Sequence, residues 1–155
     1  NNEMDDFSSK PGVPNMFGLT GSEANSIAPK KRMLSSITPT IVEKDNQLYM
    51  VVGTPGGSTI ITSVFQTILN VYEHEMDMQA AVDAPRFHHQ WLPDLVVLEP
   101  NKFEDTVIND LKDKGHNLEA KYSRIIGKVD AILVDENGVI SVGADPRGDD
   151  AAATF

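Results

Sequence analysis

Two adjacent glycines, Gly56 and Gly57, have the residue types and the setting to stabilise a negative charge. They lie in Thr54-Pro55-Gly56-Gly57-Ser58, between an apolar run, Leu48 to Val52, and a long amphipathic run, Thr59 to Tyr72. Glycines at a strand-to-helix corner leave the backbone N–H groups uncovered, at the positive end of the helix dipole. Such a corner suits an oxyanion but brings no nucleophile, and the alternative is a tight turn that binds nothing.

The first seven residues, Asn1-Asn2-Glu3-Met4-Asp5-Asp6-Phe7, combine three carboxylates with two carboxamides. A site that holds a substrate ammonium needs such acceptors. The alternatives are a solvated acidic terminus, or a calcium loop without the regular spacing of an EF-hand.

Two further groups of polar residues could take part in binding. Ser35 and Ser36 precede the first predicted strand and could donate hydrogen bonds to a substrate carboxylate, or else form a turn or cap. His88 and His89 are adjacent, so their side chains point in different directions and favour a structural role over metal binding. The segment Asp145 to Asp150 is interpreted as a charged turn. The sequence therefore predicts no metal site.

The amino-acid composition of the chain argues against several classes of function. The 155 residues suit one domain, and 13 basic against 23 acidic residues give a net charge of −10, which argues against nucleic acid and anionic membranes as partners. Cysteine is absent, and no apolar run approaches the roughly 20 residues that span a bilayer. The chain begins at Asn1 without a signal-peptide pattern, so we expect processing or truncation, with any targeting segment upstream.

The predicted elements form an α+β fold, with an antiparallel sheet and packed helices. Residues 1–32 are rich in Asn, Ser, Gly and Pro and predict a long ordered loop or a partly disordered arm. Hydrophobic periodicity and turn residues predict the rest, with residues 1–155 as a single domain. Strands are predicted at 38–42, 48–52, 95–98, 129–134 and 139–143, and helices at 59–72 (with Ser58 as N-cap), 78–84 and 103–114.

Taken in order, several segments resemble the C-terminal part of γ-glutamyltranspeptidase, specifically of its small, catalytic subunit. The resemblance implies an N-terminal-nucleophile hydrolase fold, a four-layer αββα sandwich, and no cofactor. The resembling segments are Asn1 to Phe7, Lys31 to Ser36, Gly53 to Ile61, Pro85 to Pro93 and Ala144 to Arg147.

In that family a precursor cleaves itself into a large and a small subunit. The new N-terminal Thr of the small subunit attacks the γ-glutamyl amide of substrates such as glutathione, and the acyl group passes to water or to an amino acid or peptide. The resemblance implies that Glu3 and Asp6 receive the substrate α-ammonium and that Ser35 and Ser36 lie near its α-carboxylate. It assigns the oxyanion hole to the backbone N–H groups of Gly56-Gly57.

The resemblance also implies what these residues lack. The family's nucleophile begins the small subunit several tens of residues before the Asn-Asn-acid motif, and none of the threonines of this chain matches it. A large-subunit Arg that pairs with the carboxylate also lies outside the sequence. Met33 and Ile37 stand where the family often has Pro and Met, a small change beside a loop.

We therefore expect a C-terminal fragment that is inactive alone. Its partners would be the large subunit, the missing part of the small subunit and γ-glutamyl substrates, in a periplasmic or secreted parent. An unpaired strand edge and exposed apolar surface predict self-association, or disorder in residues 1–32. The alternatives are a non-catalytic scaffold of the same fold and an acylase of other amides, such as poly-γ-glutamate or a cephalosporin. Retention of Asp6, Ser35 and Ser36 favours a free amino-acid head group over the latter.

Overall fold

The computed structural model describes residues 4–119 and 125–153. Glu3, one of the predicted ammonium acceptors, lies outside the described residues. The chain divides into two compact units, Asn1–Ile37 and Thr38–Phe155, and each unit is described by itself.

The first unit consists mainly of loop. It contains two short 3-10 helices, Met4–Asp6 and Glu23–Asn25. The N–H of Ser8 donates to the carbonyl of Asn25 at 2.9 Å, which ties the two helical turns together. The prediction of one domain, with a loop or arm over residues 1–32, stays a prediction.

The second unit contains the regular secondary structure. Its elements follow in the order that the sequence predicts, with boundaries that differ by one to two residues, and two very short strands are added. In chain order they are β1 (Thr40–Lys44), β2 (Gln47–Gly53), α1 (Ile60–Tyr72), α2 (Met78–Asp83), β3 (Phe87–His88), β4 (Val96–Leu98), α3 (Asp105–Asp113), β5 (Leu118–Glu119), β6 (Asp130–Val134) and β7 (Ile140–Gly143).

The larger sheet has four antiparallel strands in the order β1-β2-β6-β7. Asp45 and Asn46 form the turn between β1 and β2, and both have positive φ, at 53° and 61°. Asn and Asp tolerate that conformation better than other side chains, and two positive φ angles in succession suit a tight hairpin. Turn residues join β1 to β2 and β6 to β7, and each pair of strands is an antiparallel hairpin.

The hydrophobic core lies between one face of this sheet and the helices α1 and α2. Along β2, Met50 and Val52 are buried while Val51 between them is exposed, as the alternation of side chains in a strand requires. The helical spacing of the apolar residues in α1 places Val64 and Val71 in the same core. The buried residues of this cluster are Met50, Val52, Val64, Val71, Met78, Ala81, Val82, Val129 and Ala131.

A second sheet has three short strands in the order β3-β4-β5. β3 is antiparallel to β4, whereas β5, a strand that the sequence did not predict, is parallel to β4. Two-residue strands such as β3 and β5 are too short to show a hydrophobic period. Helix α3 ends before Gly115, whose φ of 92° suits the left-handed position that follows the C-terminus of a helix.

The predicted α+β class is confirmed, since helices pack on a largely antiparallel sheet. Within the part of the chain that the structure describes, no helix combines the length and the apolar character needed to cross a membrane.

Candidate functional site

Asp6 and Ser36, two of the predicted head-group residues, meet within the first unit. Asp6 ends a 3-10 helix and is only 8% exposed. The hydroxyl of Ser36 donates a short hydrogen bond to Oδ1 of Asp6. Oδ2 of Asp6 is buried and has no hydrogen-bond partner among the described residues. A buried carboxylate oxygen without a donor is unfavourable, so this atom is suited to receive an N–H group or a cation from a ligand.

Asn25 forms hydrogen bonds on both sides of this site, and it was not among the residues predicted from the sequence. Its side-chain Nδ2 donates to the backbone carbonyl of Asp6 at 2.7 Å. Its Oδ1 accepts from the N–H of Leu34 at 3.2 Å, two residues before Ser36. The only signal in the sequence was an Asn in a polar loop. Ser35 is exposed next to Ser36, and Glu3 lies outside the described residues.

The glycine corner, residues 54–58, follows the last residue of β2 in the second unit. Gly56 has φ 148° and Gly57 has φ 58°, values that side chains rarely allow. Among the described residues, nothing accepts a hydrogen bond from the N–H of either glycine. The pair therefore presents two donors without intramolecular acceptors, which is the property that an oxyanion hole requires.

The start of the helix fixes the direction of one of these donors. A 3-10 helix, Gly57–Thr59, precedes α1, and both the N–H and the hydroxyl of Thr59 donate to the carbonyl of Gly56, at 3.1 and 2.9 Å. In a trans peptide the carbonyl and the next N–H point in opposite directions. The N–H of Gly57 therefore turns away from the helix. The prediction of Ser58 as N-cap is wrong, because Ser58 lies inside the 3-10 helix.

A second segment, the support loop (residues 126–129), lies against the corner. The N–H of Lys128 donates to Oγ1 of Thr54 at 2.7 Å. A Cβ added at Gly127 would lie 2.6 Å from Oγ of Ser63 and 3.0 Å from Oγ1 of Thr54. A Cβ at Gly56 would lie 3.3 Å from Cα of Gly127. The corner and the support loop thus lie in close contact at Gly56 and Gly127, where both residues have positive φ and an added Cβ would crowd its neighbours.

Buried charges hold the support loop. Asp145 and Arg86 are each 1% exposed, and Nη1 of Arg86 donates to Oδ2 of Asp145 at 2.6 Å. The same carboxylate oxygen accepts from the N–H of Val129 at 2.6 Å, and Nη1 of Arg86 also donates to the carbonyl of Ile126 at 3.2 Å. One ion pair therefore binds both ends of the loop. The sequence predicted only a charged turn here, because pairing between distant charges leaves no local pattern.

A second ion pair extends this cluster. Arg147 contacts both oxygens of Glu99 and also donates to Oδ1 of Asp145 at 3.1 Å. Burial disfavours the charged form of Asp145, but hydrogen bonds from the N–H groups of Arg147 and Val129 and from Arg86 outweigh it, so the pKa of Asp145 is lowered. Burial also lowers the pKa of Arg86. For Arg147, the bonds to Glu99 and Asp145 outweigh burial and raise its pKa.

The side chains of the two adjacent histidines, His88 and His89, contact different residues. His88 is 4% exposed and lies with Nδ1 2.9 Å from Oγ1 of Thr62 and Nε2 3.0 Å from Oε1 of Gln90. His89 lies 3.1 Å from Asp94 at the surface. Their side chains have separate partners, which supports the predicted structural role. Within residues 4–119 and 125–153, no three His, Asp or Glu side chains are grouped to hold a metal ion.

Known proteins resemble this chain over its full length. The family model described as gamma-glutamyltranspeptidase matches residues 1–155. The glutathione hydrolase proenzyme of Escherichia coli is 46% identical over 100% of this chain and 26% of its own length, and that of Pseudomonas aeruginosa is 47% identical over 96% and 27%. The chain thus spans about a quarter of these curated relatives.

Solved structures show the same relationship in three dimensions. The crystal structure of a T380A mutant of γ-glutamyltranspeptidase from Helicobacter pylori matches with a TM-score of 0.86 and 48% identity, covering 96% of this chain and 80% of that chain. This likeness confirms the fold of the N-terminal-nucleophile hydrolases that the motifs implied. With a match over every residue and identities well above 40%, the chain belongs to the γ-glutamyltranspeptidase family.

Proposed function

We propose that these residues form part of an enzyme that transfers or hydrolyses the γ-glutamyl group of glutathione and related γ-glutamyl amides. Asp6, with Glu3, receives the α-ammonium of the substrate, and Ser35 and Ser36 bind its α-carboxylate. Gly56 and its neighbour Gly57 stabilise the oxyanion that forms when the amide carbonyl is attacked.

The buried Oδ2 of Asp6 is the observation that carries this proposal. Its partner oxygen Oδ1 already accepts from Ser36, so the carboxylate is oriented while Oδ2 has no hydrogen-bond partner among the described residues. A substrate ammonium supplies both the charge and the donor that this atom lacks, and charged hydrogen bonds are about twice as strong as neutral ones. A free amino-acid head group satisfies that requirement, whereas a simple amide does not.

The glycine corner supports the second half of the proposal. Acyl transfer moves negative charge onto the carbonyl oxygen of the substrate, and preorganised N–H donors lower the energy of that state. The amides of Gly56 and Gly57 have no acceptor among the described residues and stand at the start of a helix. Their geometry therefore suits an anion that appears only during the reaction.

The attacking group belongs, in this proposal, to a part of the enzyme outside residues 1–155. The threonines at the corner have hydroxyls that donate to backbone carbonyls, as Thr54 does to Pro55 and Thr59 does to Gly56. We propose that self-cleavage of a precursor exposes an N-terminal Thr and yields a large subunit as partner, in a periplasmic or secreted location. Turnover of a γ-glutamyl anilide by a polypeptide of residues 1–155 alone would contradict this.

The role of Asp6 is tested by Asp6→Asn in the complete enzyme, with L-γ-glutamyl-p-nitroanilide as substrate. The change keeps the size and the Ser36 contact but removes the charge that holds the ammonium. We expect kcat/KM to fall by about 30-fold or more, mainly through KM, because a buried charged hydrogen bond is worth about 2–3 kcal/mol.

Asp5→Asn is the matched control. Asp5 belongs to the same 3-10 helix and carries the same charge, but it is exposed. We expect its kcat/KM to stay within about 2-fold of the unchanged enzyme, since exposed charges contribute little. Equal effects of the two substitutions, or no effect of Asp6→Asn, would refute the proposal.

A further inference from the structure

Two hydroxyls, those of Thr54 and Thr59, bond to the two carbonyls that set the direction of the glycine amides. Oγ1 of Thr54 donates to the carbonyl of Pro55 at 2.6 Å, and Oγ1 of Thr59 donates to the carbonyl of Gly56 at 2.9 Å. We propose that Thr54 and Thr59 are positioning residues that orient the donors of the oxyanion hole. The inference rests on the oxyanion role proposed above.

A planar peptide couples the direction of each carbonyl to that of the next N–H group. The carbonyl of Pro55 and the N–H of Gly56 belong to one trans peptide and point in opposite directions. Holding that carbonyl with Thr54 therefore fixes the N–H of Gly56. The carbonyl of Gly56 and the N–H of Gly57 form the next peptide, which Thr59 fixes in the same way.

The conformational freedom of the two glycines makes it necessary to fix the direction of their N–H groups. Both glycines have positive φ, and a residue without a Cβ rotates about φ and ψ more freely than any other. Two successive glycines would let each N–H swing away from the anion. A donor that must reorganise during the reaction loses most of its electrostatic advantage. The two hydroxyls restrain the peptides on either side of Gly56 without filling the space that the anion needs.

A further hydrogen bond fixes the side chain of Thr54. Its Oγ1 accepts from the N–H of Lys128 while it donates to Pro55, so one hydroxyl joins the support loop to the corner. The loop is bound at both ends by the Arg86–Asp145 pair. Thr59 is 5% exposed at the start of α1, where its own N–H also donates to Gly56. The N–H of each glycine is therefore oriented by one threonine hydroxyl, and the two threonines are fixed by different parts of the chain.

The test replaces each hydroxyl by a methyl group of the same shape in the complete enzyme. With L-γ-glutamyl-p-nitroanilide, Thr54→Val and Thr59→Val are each expected to lower kcat about 10- to 100-fold, because a small misplacement of an oxyanion donor has that effect. KM is expected to stay within about 3-fold, since the head group is bound by other residues. Thr54→Ser and Thr59→Ser keep the hydroxyl and are expected to restore most of kcat.

Thr67→Val is the control for a purely structural effect. Thr67 is 1% exposed in α1, and its hydroxyl donates to the carbonyl of Ser63 at 3.0 Å, away from the corner. We expect this variant to lower the melting temperature but to keep kcat. Melting temperatures of all variants establish that the proteins compared are folded, and the Thr59 pair tests the inference if Thr54→Val does not fold.

The outcomes separate this inference from the proposed function. Unchanged kcat in both folded Val variants would overturn the inference, as would Ser variants as slow as the Val variants. If Asp6→Asn behaves as expected while the Val variants keep kcat, only the inference fails. If Asp6→Asn also has no effect, the proposed function itself is wrong.

Discussion

At Gly56 the backbone needs a conformation and a space that only glycine provides. Its φ is 148°, and an added Cβ would lie 2.5 Å from Oγ1 of Thr59. A methyl group there would strain the backbone and push aside the hydroxyl that holds its own carbonyl. The identity of this one residue therefore links the local backbone geometry to the direction of the adjacent amide.

Gly56→Ala is expected to lower kcat about 100-fold or more, which is the effect of losing one oxyanion donor. Gly53→Ala is the control, because Gly53 is the last residue of β2 and an added Cβ there would have nothing within 4 Å. Steady-state kinetics of the complete enzyme measure both. A folded Gly56→Ala variant with the kcat of Gly53→Ala would show that the corner takes no part in the reaction.

Sequence reasoning proposed candidate site residues where the chemistry is visible in the residue type itself. The glycine pair was found because two glycines stand between a strand and a helix, and the corner was placed there as predicted. The structure also brings Asp6 to Ser36, although the roles of both stay proposals. Thr54, Asn25 and the support loop were missed, because their importance comes from contacts between residues 9 to 74 positions apart.

At the scale of elements, one buried ion-pair cluster joins the ends of several of them. Arg86 follows α2 and precedes β3, and Asp145 follows β7. Nη2 of Arg86 donates to the carbonyl of Val82 at 2.7 Å, near the C-terminal end of α2. The cluster satisfies carbonyls that would otherwise be buried without donors and fixes where the sheet, α2 and the support loop meet.

The low pKa of Asp145 predicts how stability changes in acid. A carboxyl whose pKa is lower in the folded than in the unfolded state stabilises the fold above its unfolded pKa of about 3.9, and that contribution is lost as pH falls through the folded pKa. The substitution Asp145→Asn removes this stabilising contribution at every pH. We therefore expect the difference in unfolding free energy between the two proteins to be about 3 kcal/mol at pH 7 and to shrink below pH 4.

Urea unfolding of the complete enzyme and of Asp145→Asn at a series of pH values measures this difference. Asp130 acts in the opposite sense, since burial and the nearby Asp150 raise its pKa; the charge of Asp145 raises it further, so part of the pH dependence of Asp145→Asn comes from Asp130. A constant difference from pH 7 to pH 2 would show that the charge of Asp145 does not stabilise the fold.

Helices and strands could be predicted from the sequence where the hydrophobic pattern extends over many residues. The apolar spacing of α1 and the turn residues of the two hairpins predicted those elements to within two residues at each end. β3 and β5 could not be predicted, because two residues carry no period and each strand exists only through its pairing with β4. The 3-10 turn before α1 was missed because its hydrogen bonds depend on the carbonyl of Gly56 rather than on a side-chain cap.

At the scale of the whole polypeptide, the four-stranded sheet buries only one of its faces within the described residues. The helices cover the face that carries Met50 and Val52. On the opposite face, Ile41 of β1 is 68% exposed, Val51 of β2 is 38% exposed and Ile132 of β6 is 41% exposed. Neighbouring strands thus present one contiguous apolar surface, which in water favours association.

We expect a polypeptide of residues 1–155 to self-associate through this face. Ile41→Lys combined with Ile132→Lys places two charges on it and is expected to convert the associated species to a monomer, because a charge on an apolar contact must be desolvated. Ile61→Lys is the control for the Ile41→Lys change alone: Ile61 is 67% exposed on α1, against 68% for Ile41, so each single replacement removes a similar apolar area. Multi-angle light scattering over a range of concentrations measures the mass. A monomer at all concentrations without any substitution would contradict this expectation, and dissociation caused equally by Ile61→Lys would place the contact on the helices instead of the sheet.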